Sequence, residues 1–215
     1  MKKYMAVALA SILLLMFGCS SAGSNYFPMS IGDYWVYRTN FGPKLIVKVV
    51  RKEKVKDYDT YAIESYVDVE GEEMPVRSNE DYYAKTDQGI LKVKRVVTSD
   101  KAEIYFDPPE TFLRETLIPG KKWQWKGKQG NVEAEFTCEV AGREKVHLMG
   151  RDFDCIKVMR EGSPVDRKEL KYQIIRWYAP GIGIIREVSV ENGLAPDETI
   201  KTVTSVFELM DYRVR

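Results

Sequence analysis

One aromatic skeleton occurs twice in this chain. Gly32-x-x-Trp35-x-Tyr37 is answered by Gly120-x-x-Trp123-x-Trp125, and Val49–Val55 by Val140–Val146. Tyr58–Ile63 is answered by Phe153–Val158, and Tyr82-Tyr83-Ala84 with Gly89-Ile90-Leu91 by Trp177-Tyr178-Ala179 with Gly183-Ile184-Ile185. The offset runs only from 88 (Gly32 to Gly120) to 95 (Tyr82 to Trp177), a drift that short loop insertions absorb. All four tryptophans sit in matched slots. The period is too long for a solenoid, whose units run to roughly 50 residues at most. It indicates two copies of a small module, joined as tandem domains or as halves of one sheet.

Both copies read as strand. Val132, Ala134, Phe136, Cys138 and Val140 alternate with Glu133, Glu135, Thr137 and Glu139, a period of two with one apolar and one solvated face. Met149-Gly150-Arg151-Asp152 has the character of a hairpin turn leading into Phe153–Met159. Further strands are expected at Tyr172–Ala179, Ile184–Glu191 and Thr199–Met210, broken by Pro180-Gly181 and Asn192-Gly193. In the first copy the matching strands are Lys44–Val50, Thr60–Val69, Tyr82–Thr86, Leu91–Thr98 and Ala102–Phe106. Pro109–Glu115 carries the one helical hint, between the copies. The fold expected is mainly β: an antiparallel curved sheet or partial barrel built from two tandem copies of a module of about 90 residues.

The N-terminus has a different character. Lys2 and Lys3 precede an apolar run from Ala6 to Phe17, followed by Gly18-Cys19 and the polar stretch Ser20–Asn25. The run is shorter than the roughly 20 residues a spanning helix needs, and the pattern is that of a secretory signal. It resembles a lipoprotein signal, with Met16 and Phe17 where lipoboxes usually carry Leu and a small residue. On this reading residues 1–18 are a signal peptide, Cys19 is the lipidated N-terminus, and 19–26 form a flexible tether. The first β repeat then covers 27–110 and the second 111–215. The lipid would hold the protein to a membrane. Resemblance to the sorting rule of enteric bacteria, with Ser20 rather than Asp after the cysteine, implies the outer membrane, facing the periplasm, in a Gram-negative host.

Pro28 with Gly32-x-x-Trp35-x-Tyr37, and Trp177-Tyr178-Ala179-Pro180-Gly181-Ile182-Gly183 later, resembles a group of uncharacterised bacterial envelope lipoproteins. In that group a Y-F-P-x-x-x-G-x-x-W-x-Y opening and a W-Y-A-x-G-x-G element recur. The resemblance implies a curved antiparallel sheet or partial barrel similar to the lipoprotein carriers LolA and LolB, and it supplies no catalytic residues.

Charge and composition exclude other classes. The full chain has 33 basic and 32 acidic residues, and loss of Lys2 and Lys3 leaves 31 against 32. The signs alternate without a basic block, which argues against nucleic acid as a partner. The 44% hydrophobic content suffices for a core and argues against disorder.

Five aromatics are candidates for a cluster: Trp35, Tyr37, Trp123, Trp125 and Trp177. They either face a ligand or plug the core at the start of each copy. Cys138 and Cys155 occur only in the second copy; their equivalents in the first are Val47 and Thr60. They are either a disulfide between neighbouring strands or two buried thiols. A hairpin centred on Gly150-Arg151 would set Cys155 opposite Val146, so a bridge needs a bulge at Gly142 or another strand order.

His147 is the one histidine, and Asp57-x-Asp59 and Asp152-x-Asp154 lack the oxygen run of a calcium loop, so neither metal nor cofactor is expected. Glu53-Lys54 and Glu144-Lys145 read as edge charges that deter strand addition. No Gly-x-Ser-x-Gly elbow or phosphate-cradling glycine loop is present. The expected function is therefore non-enzymatic: a lipid-anchored envelope protein binding an apolar ligand or carrying lipid or lipoprotein. A scaffold contacting another envelope protein comes second, and a hydrolase with scattered carboxylates third.

Overall fold

Period-two alternation leaves each strand with an apolar face to bury, and closing the sheet on itself buries all of them at once. The computed structural model describes residues 25–194 and 199–215. It contains twelve strands: β1 (Tyr34–Thr39), β2 (Lys44–Val55), β3 (Tyr58–Asp68), β4 (Val76–Thr86), β5 (Gly89–Val97) and β6 (Ala102–Arg114), then β7 (Lys122–Gln129), β8 (Val132–Leu148), β9 (Arg151–Pro164), β10 (Tyr172–Ala179), β11 (Gly183–Leu194) and β12 (Ile200–Arg213). Each strand pairs antiparallel with its neighbour in the chain. β12 then closes on β1, with Trp35 opposite Tyr212 and Thr39 opposite Phe207.

The barrel is therefore closed, not partial, and residues 34–114 and 122–213 supply six strands each. Closure gives every strand two neighbours, but β1 meets β2 only at Leu45–Lys48 and β7 meets β8 only at Val132–Glu139. Glu53-Lys54 and Glu144-Lys145 therefore lie on hairpin extensions paired on one side, where charge deters strand addition. The boundary expected between 110 and 111 falls inside β6.

The two halves repeat some backbone details. Gly32 N donates to Val49 O (2.9 Å) and Val49 N to Asp33 O (2.9 Å). Gly120 N donates to Val140 O (2.8 Å) and Val140 N to Lys121 O (2.9 Å). Gly32 and Gly120 hold φ of 92° and 83°, the region that glycine alone enters freely. Register shifts fall at Val49/Arg51 and Val140/Gly142, and again at Tyr82/Tyr83 and Trp177/Tyr178.

Three local expectations change. The segment 109–115 is strand, not helix, through Arg114. Pro108 and Pro109 lack amide donors, and they occupy the stretch where the β5 ladder skips from Tyr105 to Glu110. Asn192-Gly193 does not break β11; it pairs with Thr202 and Lys201. The β8–β9 turn is centred on Met149-Gly150, whose φ values of 54° and 73° suit a two-residue hairpin turn.

One end of the barrel is plugged by the segment before β1 and the segment after β12. Tyr26 and Met29 are buried, and Asn25 O accepts from Gly181 N of the β10–β11 turn (2.8 Å). Tyr26, placed by sequence at the end of the tether, is thus part of the folded body. The fully buried Asp33 carboxylate accepts from Ser30 N (2.7 Å) and from Arg215 N (3.0 Å). At the same end the long β8–β9 hairpin reaches β12, where Arg151 donates to the Tyr212 hydroxyl.

Candidate functional site in the barrel lumen

Barrels of about eight strands are filled by their own side chains, whereas much larger ones leave a channel. Twelve strands fall between, and the lumen keeps a cavity of about 580 Å³. Its deep end is an aromatic triad. Phe27, on the segment before β1, packs on Tyr83 (5.2 Å between ring centroids) and Phe112 (5.1 Å), which themselves meet at 4.9 Å. Toward the other end the wall is largely apolar: Leu45, Val67, Ile174, Phe207 and Phe41, the last 55% exposed in the β1–β2 turn. Phe41 and Phe207 meet edge to face at 5.9 Å.

Between floor and mouth lies a ring of charge. Asp81 on β4 accepts from Lys92 Nζ (2.9 Å), and from Arg95 Nε (2.7 Å) and a terminal nitrogen of the same guanidinium (2.8 Å). Glu110 on β6 meets Arg160 on β9 at 2.5 Å, across two intervening strands, and Arg160 also donates to Tyr172 (3.1 Å). Arg176 on β10 meets Glu187 on β11 at 2.5 Å and stacks over Phe112 at 4.9 Å.

Burial alone would raise the Asp81 carboxyl, but Lys92 and Arg95 outweigh it and hold the group well below the usual carboxylate range. Lys92 is pushed down to about 8, by burial first and then by Arg95, against the pull of Asp81 and Glu110. A carboxyl held down in this way is the opposite of the raised one a general acid needs.

These residues were not singled out from sequence, where charges in strands read as solvent-facing. A signal was present: Arg160 is in phase with the buried Ile156 and Val158, and Arg176 with Ile174 and the buried Tyr178.

The candidate aromatics divide. Trp35 and Tyr37 line the cavity, with Trp35 Nε1 donating to Ile182 O (2.6 Å) and the Tyr37 hydroxyl to Ile184 O (2.8 Å). Trp123 and Trp125 are buried and donate to Thr111 O and Pro108 O, both at 2.9 Å. Trp125 stacks on Phe136 (5.1 Å) and lines a second depression of about 740 Å³. Trp177 is buried in the same hydrophobic cluster but does not line the lumen. It lies on the opposite face of β10 from Arg176, flanked by Lys157 (5.0 Å) and Arg186 (5.2 Å).

Cys138 and Cys155 are free and buried, so the disulfide reading is corrected. The bulge at Gly142 is present, but it shifts register by one residue only; Cys138 faces Arg160 and Cys155 faces Glu144, far along the same strand pair. Burial pushes both thiols up to about 12.

His147 Nδ1 lies 2.7 Å from Asp152 Oδ1 on an exposed surface, and no group of three metal-ligating side chains occurs among the described residues. Cys19, the lipidation candidate, lies outside the described residues.

No family model and no curated protein matches the chain. Among solved structures it is similar to a protein of Parabacteroides distasonis ATCC 8503 provisionally assigned as a lipoprotein (TM-score 0.45, 13% identity, 87% of this chain and 98% of that one). It is likewise similar to an exported protein with a YmcC-like fold from Bacteroides fragilis NCTC 9343 (0.44, 16%, 87% and 98%). The third is the hypothetical lipoprotein YmcC of Escherichia coli K12 (0.41, 12%, 85% and 88%).

Proposed function

We propose that this protein is a lipid-anchored component of the cell envelope that binds an amphiphilic ligand inside its barrel and does no chemistry on it. The observation that carries this reading is the cavity of about 580 Å³, with an apolar outer wall and an ionic ring at mid-depth. That volume lies within the range of ligand pockets, roughly 300–1,000 Å³. The leader ending at Cys19 supports the envelope and the lipid anchor. The outer membrane is the address by the sorting rule, and the barrel would there face the periplasm.

The body itself is not built to span lipid by its strands. The outer faces of β7 and β8 carry Lys122, Lys126, Glu135 and Glu139, with pairs at 2.9 Å (Lys122–Glu139) and 3.8 Å (Lys126–Glu135), where a membrane barrel presents an apolar band. Because Tyr26 is fixed at the plugged end, a tether from Cys19 leaves the mouth facing away from the anchor.

A second reading, contact with another envelope protein, is favoured by one feature. Phe41, Val69, Met74, Val76, Val132, Ile200 and Val203 are exposed around the mouth. Such a rim also suits the passage of an apolar ligand.

The test is fluorescence of 1-N-phenylnaphthylamine with the purified mature protein. Enhancement is expected, lost in Ser65→Trp, which fills the lumen, and kept in Lys48→Trp on the outer face. No enhancement, or enhancement indifferent to Ser65→Trp, overturns the reading.

A further inference from the structure

The ionic ring is not evenly paired. Arg160 has Glu110 and Arg176 has Glu187, one carboxylate each. Lys92 and Arg95 both pair directly with Asp81 and feel Glu110 only at longer range, so the ring holds four cations against three carboxylates. The next acid on the cavity wall, Glu191, stands nearer the mouth on β11, opposite Tyr172.

The surplus cation is accessible. Lys92 is almost fully enclosed (8% exposed), but 39% of the Arg95 side chain is open, and it lines the lumen. Asp81 engages Nε and one terminal nitrogen of the guanidinium, one side of a planar fork that can present further donors to the cavity. Two cations sharing one carboxylate in an enclosed lumen leave positive charge incompletely neutralised, and an anion entering the lumen would offset it.

The surroundings define the rest of the ligand. Ile63 stands opposite Asp81 on β3, with Ser65 and Asn79 one step toward the mouth. Leu45, Val67, Phe207 and Phe41 continue the wall outward as apolar surface, with Glu191 the charged residue of the cavity lining on that side of the ring. A group held at Arg95 would extend its remainder along this apolar wall.

Resting on the ligand-binding reading above, we infer that Arg95 and Lys92 form the headgroup site of the lumen. They hold the carboxylate or phosphate of a single-chain anionic amphiphile whose tail points to the mouth. The selectivity is for charge at one end of a chain, and an uncharged chain of equal length occupies the same cavity more weakly.

Isothermal titration of the mature protein with dodecanoate, dodecyl phosphate, dodecanol and inorganic phosphate tests this. One or both dodecyl anions should bind at least about tenfold tighter than dodecanol, about 1.4 kcal/mol; which of the two is tighter distinguishes carboxylate from phosphate as the natural head. Arg95→Met should abolish that preference while dodecanol binding persists, and Arg95→Lys should restore part of it. Persistence of dodecanol binding doubles as the folding control for Arg95→Met.

Equal binding of anions and dodecanol by the wild type, or a preference untouched by Arg95→Met, overturns the headgroup site and leaves the lumen-binding reading intact. Inorganic phosphate binding as tightly as dodecyl phosphate overturns the amphiphile and leaves an anion site. Failure of all four probes overturns the ligand-binding reading itself.

Discussion

The two ends of this barrel are made from the same strands and do different work. At the plugged end Phe27, Tyr83 and Phe112 pack ring on ring, Leu113 and Ile185 are fully buried, and the buried Asp33 is hydrogen-bonded to Ser30 and Arg215. At the open end the lumen is unfilled and apolar side chains such as Phe41 and Val203 stand in solvent. Between them, charges that a packed core would exclude are kept in pairs. The difference teaches that stability is concentrated at the plugged end, and that the ring and mouth are shaped by something other than stability. Replacing buried ion pairs with apolar residues is often neutral or stabilising, so a fold selected for stability alone had a simpler solution available.

The largest effect is expected at the floor. Phe112→Ala removes the ring that meets Phe27, Tyr83 and Arg176, and should cost about 3–5 kcal/mol in urea unfolding. A small cost would mean the floor is not the stable end. Glu110→Gln leaves Arg160 in the lumen without its carboxylate and should cost about 3 kcal/mol, with Glu110→Gln/Arg160→Met recovering most of it.

Lys92 gives a pH signature. Its folded pKa of about 8 lies below the unfolded value of about 10.4, so in that window the unfolded chain binds the extra proton and stability rises with pH. Subtracting the curve of Lys92→Met cancels the other titrating groups, and the difference should climb by ~1–3 kcal/mol between those limits. A flat difference would show that Lys92 pays no burial penalty. At the mouth, Phe41→Ser and Val203→Ser should each change stability by less than about 0.5 kcal/mol. Smallest of all, reductant should leave the melting temperature unchanged, because Cys138 and Cys155 are not joined.

Much of this fold was legible in the sequence, and the reasons are local. The alternation at Val132–Val140 became β8, and Pro180-Gly181 became the β10–β11 turn. Closure was not legible, because the pairing of β1 with β12 joins residues about as far apart as this chain allows. Trp177 shows how a correct local match misleads. Tyr82, its counterpart in the first copy, also faces outward, between Arg51 and Lys94, as Trp177 does between Lys157 and Arg186. Aromatic identity was visible, but the face was set by bulges at Tyr82/Tyr83 and Trp177/Tyr178. The lumenal ring escaped because a charged residue on an inner face has the same letter as one on an outer face. Only its phase against Ile156, Val158 or Tyr178 distinguishes it.

On the reading proposed above, the lumen above the packed floor is an occupied binding site in the cell. Native mass spectrometry of the mature protein, extracted gently from its own membrane, tests it most directly. A non-covalent amphiphile that departs on denaturation and is missing from Ser65→Trp is the expected result. A wild-type chain carrying nothing beyond its covalent modification would contradict it.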